Sequence, residues 1–345
     1  MRIYSNKQSN CDDMTSAAPS PPQDIYSPLD WSDFFERKRE LTVQDEEHQI
    51  LTTYTLYESN PPPTVMTQND AQVPVFVMHH GISLCGLSFA LAAKALHQLA
   101  ENQVRILAYD ARGHGESRSE DNFTFSRTRL AKDLRNVILA AFKGPRGGSS
   151  EAEFLPPIIL VGHSMGGAVA TEAASDNLIP NLIGVAVLDM AECAREMALI
   201  NIKKWGEAQP KVMASIEEAI KWGFTSGTVG NLESVRVSYP PIVFPITLEN
   251  NSKERNYAWR TDILRSEPYW RTWFQNLNAK FLSIKQPKLL MIARVNYLDE
   301  TLNRAHEEGQ FQLEVFADCG HCLQEEGPYR TATTLYEFWK QCSSI

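Results

Sequence analysis

From residue 74 onward the chain repeats one pattern: short runs that are apolar at nearly every position, separated by stretches with helical spacing. The runs are Val75-Phe76-Val77-Met78, Arg105-Ile106-Leu107-Ala108-Tyr109, Ile158-Ile159-Leu160-Val161, Val185-Ala186-Val187-Leu188, Leu289-Leu290-Met291-Ile292 and Gln312-Leu313-Glu314-Val315-Phe316. A strand turns successive side chains to opposite faces, so a continuous apolar run has to be covered on both sides. Strands of that kind alternating with helices imply an α/β fold with a mostly parallel central sheet and helices on both faces. Residues 126–142 illustrate the helical half: Ser126 is placed to cap, and Leu130, Leu134, Val137, Ile138 and Ala141 share one face. Leu87–Leu99 is also helix-compatible, and the Thr-rich stretch from Glu47 to Tyr57 reads as strand before Pro61-Pro62-Pro63 forces a loop.

Two regions depart from the pattern. Residues 1–25 are rich in Ser, Asn, Asp and Pro and are expected to be a disordered tail, leaving residues 26–345 as the folded domain. Residues 190–285 hold helical, Trp-rich sequence (Trp205, Trp222, Trp259, Trp270, Trp273) and a proline-punctuated loop from Tyr239 to Pro245. An insertion there is expected to form a helical cap over the C-terminal edge of the sheet, where ligands bind in open α/β folds.

Charge and composition narrow the partners. Lys and Arg total 33 against 42 Asp and Glu, a net charge of -9, and no long basic run exists to hold phosphates. Nucleic acid is therefore not expected. The densest cluster, Glu36-Arg37-Lys38-Arg39-Glu40, is self-neutralising and reads as a solvated helix face. No apolar stretch approaches the roughly 18–20 residues of a membrane helix, and the N-terminus lacks a signal-peptide core. The expected location is intracellular, cytoplasmic with the nucleus as a second compartment, with no membrane partner. Six scattered cysteines are expected to be reduced thiols.

The chemistry centres on Gly162-His163-Ser164-Met165-Gly166, a G-x-S-x-G sequence that follows an apolar strand and opens into a small-residue helix. That context is what a nucleophile elbow requires: the glycines permit a strained turn that lifts the serine hydroxyl clear of the sheet. A serine hydroxyl needs a base within hydrogen-bond reach, and the base needs an acid to orient it. With chain order Ser, acid, His, only His306 and His321 lie late enough, and His321 follows the last strand directly. Two strand ends can supply the acid. Asp189 caps the run ending at Leu188; after Ile292 the sequence offers a neutral Asn296, with Asp299 as the second choice. The oxyanion needs two N–H donors, assigned to Met165 and to Ile82 in His80-Gly81-Ile82-Ser83. His79, His80 and His114 are expected to be structural. Cys319-Gly320-His321-Cys322 has a dithiol pattern, but only 23 residues follow Cys322, too few for the rest of a redox domain. No second cysteine pair completes a zinc site, so no metal and no cofactor are expected.

Beyond the elbow, several segments resemble the protein phosphatase methylesterase family of α/β hydrolases. They are Trp31-Ser32-Asp33-Phe34-Phe35, Asp110-Ala111-Arg112-Gly113-His114-Gly115-Glu116, the block from Leu160 to Asp189, Asn231–Ser238, Tyr257-Ala258-Trp259-Arg260 with Trp270, Trp273 and Phe281, Gly309-Gln310-Phe311-Gln312, and Cys319-Gly320-His321. The resemblance spans about residues 26–340 and includes the insertion, which a generic esterase would not share. It implies an α/β-hydrolase fold and the assignment Ser164, Asp189 and His321 as nucleophile, acid and base. It also implies a reaction and a partner: cofactor-free hydrolysis of the C-terminal leucine methyl ester of the protein phosphatase 2A catalytic subunit through an acyl-enzyme. Two alternatives stand beside it, a small-molecule carboxylesterase or lipase, and a catalytically idle phosphatase-binding protein of the same fold.

Overall fold

Both faces of the central strands are buried, and successive side chains enter two different cores. In the computed structural model, which describes residues 25–45, 47, 49–61, 72–142, 155–248 and 251–343, Val75 and Val77 point into one core while Phe76 and Met78 point into the other. The same split holds for Ile158 and Leu160 against Ile159 and Val161, and for Val185 and Val187 against Ala186 and Leu188. This is why those runs tolerate no polar position. The expected tail lies outside the described residues except for Ile25.

The strands are β1 (Arg37–Gln44), β2 (Leu51–Ser59), β3 (Val75–His79), β4 (Arg105–Tyr109), β5 (Arg118–Ser119), β6 (Ile158–His163), β7 (Leu182–Leu188), β8 (Val243–Leu248), β9 (Asn251–Trp259), β10 (Lys288–Ile292) and β11 (Gln312–Val315). The helices are α1 (Ala90–Leu99), α2 (Arg127–Ala141), α3 (Met165–Ser175), α4 (Arg195–Ala208), α5 (Ile216–Thr225), α6 (Leu232–Ser238), α7 (Glu267–Phe274), α8 (Leu277–Ser283), α9 (Glu300–Glu307), α10 (Leu323–Glu326) and α11 (Pro328–Cys342). The sheet runs β1-β2-β4-β3-β6-β7-β10-β11, with β5 beside β2. Pairing is antiparallel where β2 meets β1, β4 and β5, and parallel from β4 through β11. Helices α1 and α11 pack together on one face, and α2 and α3 on the other.

The chain steps from β3 to β4 in one direction, then returns to place β6 on the other side of β3. The loops after β3 and β6 therefore diverge at a switch point, the place where an open α/β sheet leaves room for a ligand. Ser126 caps α2 as its sequence suggests, its side chain accepting the Arg129 N–H at 3.3 Å. No helix among the described residues is long and apolar enough to cross a membrane.

Two local readings change. The charged cluster Glu36–Glu40 is not a helix face: Arg37 to Glu40 open β1. Two-residue periodicity brings Arg37 and Arg39 to the same side, where both reach the buried Glu58 of β2, Arg37 Nε at 2.7 Å and Arg39 Nε at 3.0 Å. Likewise Tyr239–Pro245 is not all loop. A short 3-10 turn at Pro240–Ile242 leads into β8, which pairs with β9 as a separate hairpin. The segment between β7 and β10 thus combines α4 to α8 with that hairpin. It is tied down by Trp273, whose indole Nε1–H donates to the Phe125 carbonyl at 2.8 Å, and by Thr261, whose hydroxyl donates to the Gly113 carbonyl at 2.8 Å.

Candidate active site

Ser164 stands between the end of β6 and the start of α3 with φ 53° and ψ −119°. That left-handed geometry is costly for a residue with a Cβ and is held by its surroundings. The serine N–H donates to the Leu188 carbonyl at 2.9 Å, and its own carbonyl accepts from Gly167 at 2.8 Å. A Cβ on Gly162 would run into the Gly166 carbonyl, and one on Gly166 into the His79 carbonyl. Both glycines are therefore demanded by backbone contact around the turn.

His321 lies on the loop between β11 and α10 and bridges the other two predicted residues. Its Nε2 is 2.9 Å from Ser164 Oγ and its Nδ1 is 2.7 Å from Asp189 Oδ2. With Nδ1–H donating to the carboxylate, Nε2 is left to accept the serine proton. Asp189 itself is buried, follows β7 with φ 49°, and takes the Ala293 N–H on Oδ1 at 2.8 Å. The other acid candidate is occupied elsewhere: Asp299 caps α9 by accepting the Leu302 N–H at 2.8 Å and also accepts Asn278 Nδ2–H at 2.7 Å. His306, on α9, is exposed and turns its ring to Phe311.

The two candidate oxyanion donors are Met165, first residue of α3, and Ile82, in the loop after β3. Neither N–H has a hydrogen-bond acceptor among the described residues. The Met165 N–H belongs to the first turn of a helix, whose N–H groups have no partner within it. Behind the Ile82 loop lie the three histidines expected to be structural. His80 is fully buried, donates from Nδ1 to the Gly81 carbonyl at 2.7 Å and accepts the Ala111 N–H on Nε2 at 2.9 Å. Burial pushes its imidazole well below the ordinary range, and His79 and His114, also fully enclosed, fall to about 4. All three stay neutral at physiological pH. In the Asp110–Glu116 segment, Asp110 accepts the N–H groups of Gly86 and Glu116 at 2.8 Å each. Arg112 forms a buried bidentate pair with Asp133. None of the three histidines, Asp110, Arg112 or Asp133 lines the space above Ser164.

A cavity of about 500 Å³ opens over Ser164, Asp189 and His321. Its far walls come from the segment between β7 and β10, with Ile202, Trp205, Trp273 and Phe274 supplying apolar surface and Asn201, Ser226 and Thr228 a polar patch. Among the described residues, its ionisable lining groups are Asp189, His321, His163, the Tyr297 phenol and the Cys322 thiol, with no Lys or Arg. Cys319 and Cys322 are free thiols on either side of His321, and burial raises the pKa of both, Cys319 to about 11. Thiols held protonated in this way are poor nucleophiles.

A family profile described as the alpha/beta hydrolase family matches residues 75–334. Over nearly the full chain, the protein phosphatase methylesterase 1 of Bos taurus is 32% identical across an alignment of 349 positions, covering 91% of this chain and 86% of the relative. That of Saccharomyces cerevisiae is 33% identical across 320 residues, covering 91% and 76%. The chain belongs to the protein phosphatase methylesterase family. Among solved structures, an E-2-(acetamidomethylene)succinate hydrolase superimposes with a TM-score of 0.66 at 16% identity, covering 88% of this chain and 100% of the other. A thioesterase domain from the curacin biosynthetic pathway gives 0.59 at 17%, covering 87% and 99%. These two likenesses speak to the fold alone. This member of the methylesterase family is a serine ester hydrolase.

One residue at the centre of this methylesterase-family site was not singled out in the sequence. His163, a variable position in the G-x-S-x-G pattern, is fully buried, donates from Nε2 to the His321 carbonyl at 2.9 Å, and sets its ring 4.8 Å from that of His321 at a tilt of 50°. Its place at the end of a wholly buried strand, where a polar ring needs partners, was the available signal.

Proposed function

We propose that this chain demethylates the C-terminal leucine methyl ester of the protein phosphatase 2A catalytic subunit, with Ser164 as nucleophile, His321 as base and Asp189 as its acid. The observation that carries the chemistry is the unbroken hydrogen-bond chain Ser164–His321–Asp189 on a strained serine at the floor of the cavity. Ser164 Oγ attacks the ester carbonyl as its proton passes to His321 Nε2. Asp189 stabilises the imidazolium, and the N–H groups of Met165 and Ile82 receive the developing oxyanion. His321 then protonates the departing methoxy group, releasing methanol and leaving an acyl-serine. Water, deprotonated by His321, attacks that ester and frees the carboxylate and Ser164 Oγ–H.

The substrate assignment rests on the phosphatase methylesterase relatives and is supported by the lining of the cavity. Ile202, Trp205, Trp273 and Phe274 suit a branched aliphatic side chain. A cavity without Lys or Arg takes a neutral ester in preference to a free carboxylate, because an unpaired anion loses hydration there. The same feature favours release of the acid product. The testing experiment follows methyl release from methylated phosphatase catalytic subunit by wild type and Ser164→Ala. Wild type is expected to demethylate it and Ser164→Ala to leave it methylated. Rapid turnover of short-chain aryl esters by a wild type that leaves the phosphatase methylated would overturn the substrate assignment.

A further inference from the structure

We infer that His163 is a positioning residue for the base: it anchors the main chain of the His321 loop to the rigid end of β6. The inference rests on the Ser164–His321–Asp189 reading. His321 presents a problem of control, because its side chain is 54% exposed and sits on a short connection between β11 and α10. The contact to Asp189 orients the ring only if the loop backbone is itself held. That hold comes from below. His163 Nε2–H donates to the His321 carbonyl at 2.9 Å, and His163 Nδ1 accepts Gln324 Nε2–H at 3.3 Å from the first turn of α10. The His321 carbonyl can only accept, so the proton sits on Nε2, and Nδ1 is left to accept from Gln324.

Three further observations fit an anchoring role. His163 is the last residue of β6, a strand paired on both sides, so its ring is as fixed as any in the sheet. It adjoins Ser164 in the chain, and a Cβ on Gly81 would meet its Nδ1 at 3.0 Å. One ring therefore touches the segments that carry nucleophile, base and oxyanion loop. Finally, burial and the neighbouring His321 hold it well below the ordinary imidazole range. It stays neutral while His321 takes up the serine proton, so it adds no like charge to oppose that step.

The test compares wild type, His163→Phe, His163→Gln and Gln324→Met, each checked for fold by circular dichroism. The readouts are inactivation by a fluorophosphonate and kcat and KM for a chromogenic acetate ester. His163→Phe keeps the ring and loses the donor; kcat and the inactivation rate should fall by about 10- to 100-fold, with KM within about twofold of wild type, as expected for a misplaced base. His163→Gln places an amide N–H near the Nε2 position and should recover most of that loss. A folded His163→Phe variant as reactive as wild type, or a glutamine variant no better than phenylalanine, would overturn the proposal. If His163→Phe does not fold, Gln324→Met decides: a decrease of about 3- to 10-fold is expected, and an unchanged rate refutes the anchoring role. A wild-type chain inert to both reagents overturns the triad reading and this proposal with it; a reactive wild type confines any failure to His163.

Discussion

Replacing Asp189 with Asn alters which nitrogen of His321 carries the proton while leaving the shape of the site nearly unchanged. The aspartate uses one oxygen for the Ala293 N–H at 2.8 Å and the other for His321 Nδ1 at 2.7 Å. An amide has one oxygen for these two donors. With that oxygen kept on Ala293, the NH₂ group faces Nδ1, the histidine proton moves to Nε2, and nothing is left to accept from Ser164. The opposite flip strands the buried Ala293 N–H against another donor, at about 1–3 kcal/mol. The unproductive orientation is therefore favoured by about 5- to 150-fold. The remaining fraction still lacks the negative charge that stabilises the imidazolium. Together these effects should lower kcat by about 10³- to 10⁴-fold, or about 4–5.5 kcal/mol of transition-state stabilisation. Asp299→Asn is the control, since asparagine also caps a helix well; its kcat should stay within about twofold of wild type. The assay is steady-state hydrolysis of a chromogenic acetate ester alongside methyl release from the phosphatase, on variants with wild-type circular dichroism. An Asp189→Asn enzyme that keeps more than about a tenth of wild-type kcat, or an Asp299→Asn enzyme that loses as much, would refute the assignment of the acid.

Ser164→Gly should abolish fluorophosphonate labelling yet raise thermal stability, because glycine adopts φ 53° without strain. The net gain, after the larger entropy of an unfolded glycine, is about 1 kcal/mol, read from chemical denaturation; a lower stability would contradict the strained turn. Gly166→Ala forces a Cβ into the His79 carbonyl and should cost more than about 3 kcal/mol or prevent folding; a well-folded active variant would count against the described elbow. Glu325 is enclosed, and burial raises its carboxyl to about 8. The folded state thus holds a proton that the unfolded state releases from about pH 4.5 upward. Glu325 therefore contributes a stability loss as pH rises from about 4.5 to about 8. Glu325→Gln, which still accepts from the Ser238 hydroxyl, should flatten the melting temperature across that window, and an unchanged pH slope would show that the group does not titrate as described.

The central sheet was legible in the sequence because its strands feed two cores at once, which keeps consecutive positions such as Ile158 to Val161 apolar in short runs between helical stretches. The elbow was legible for a steric reason: its glycines sit where backbone meets backbone. Readings that depended on distant partners fared less well. Arg37 and Arg39 look like surface charge until Glu58 is known to lie beneath them. β8 looks like loop because its stabilising neighbour is β9, and its own residues include Pro245. Asp189 and Asp299 each follow a sheet strand, and the sequence could only rank Asp189 first; in the structure the contact of Asp189 with His321 at 2.7 Å, and those of Asp299 with Leu302 and Asn278, set them apart. His163 escaped notice because motif reading treats its position as free.

The carboxylate of Asp189 leaves the end of β7, but the N–H that steadies it belongs to Ala293, just past the end of β10. The alignment of these two parallel strands, with Leu188 opposite Met291, is therefore itself a dimension of the proposed triad. A slip of one residue along β10 would carry the Ala293 donor about 3.3 Å away and exchange the strand's side chains between the two cores. The packing between β7 and β10, remote from the cavity, thereby sets where the proposed acid meets its N–H donor.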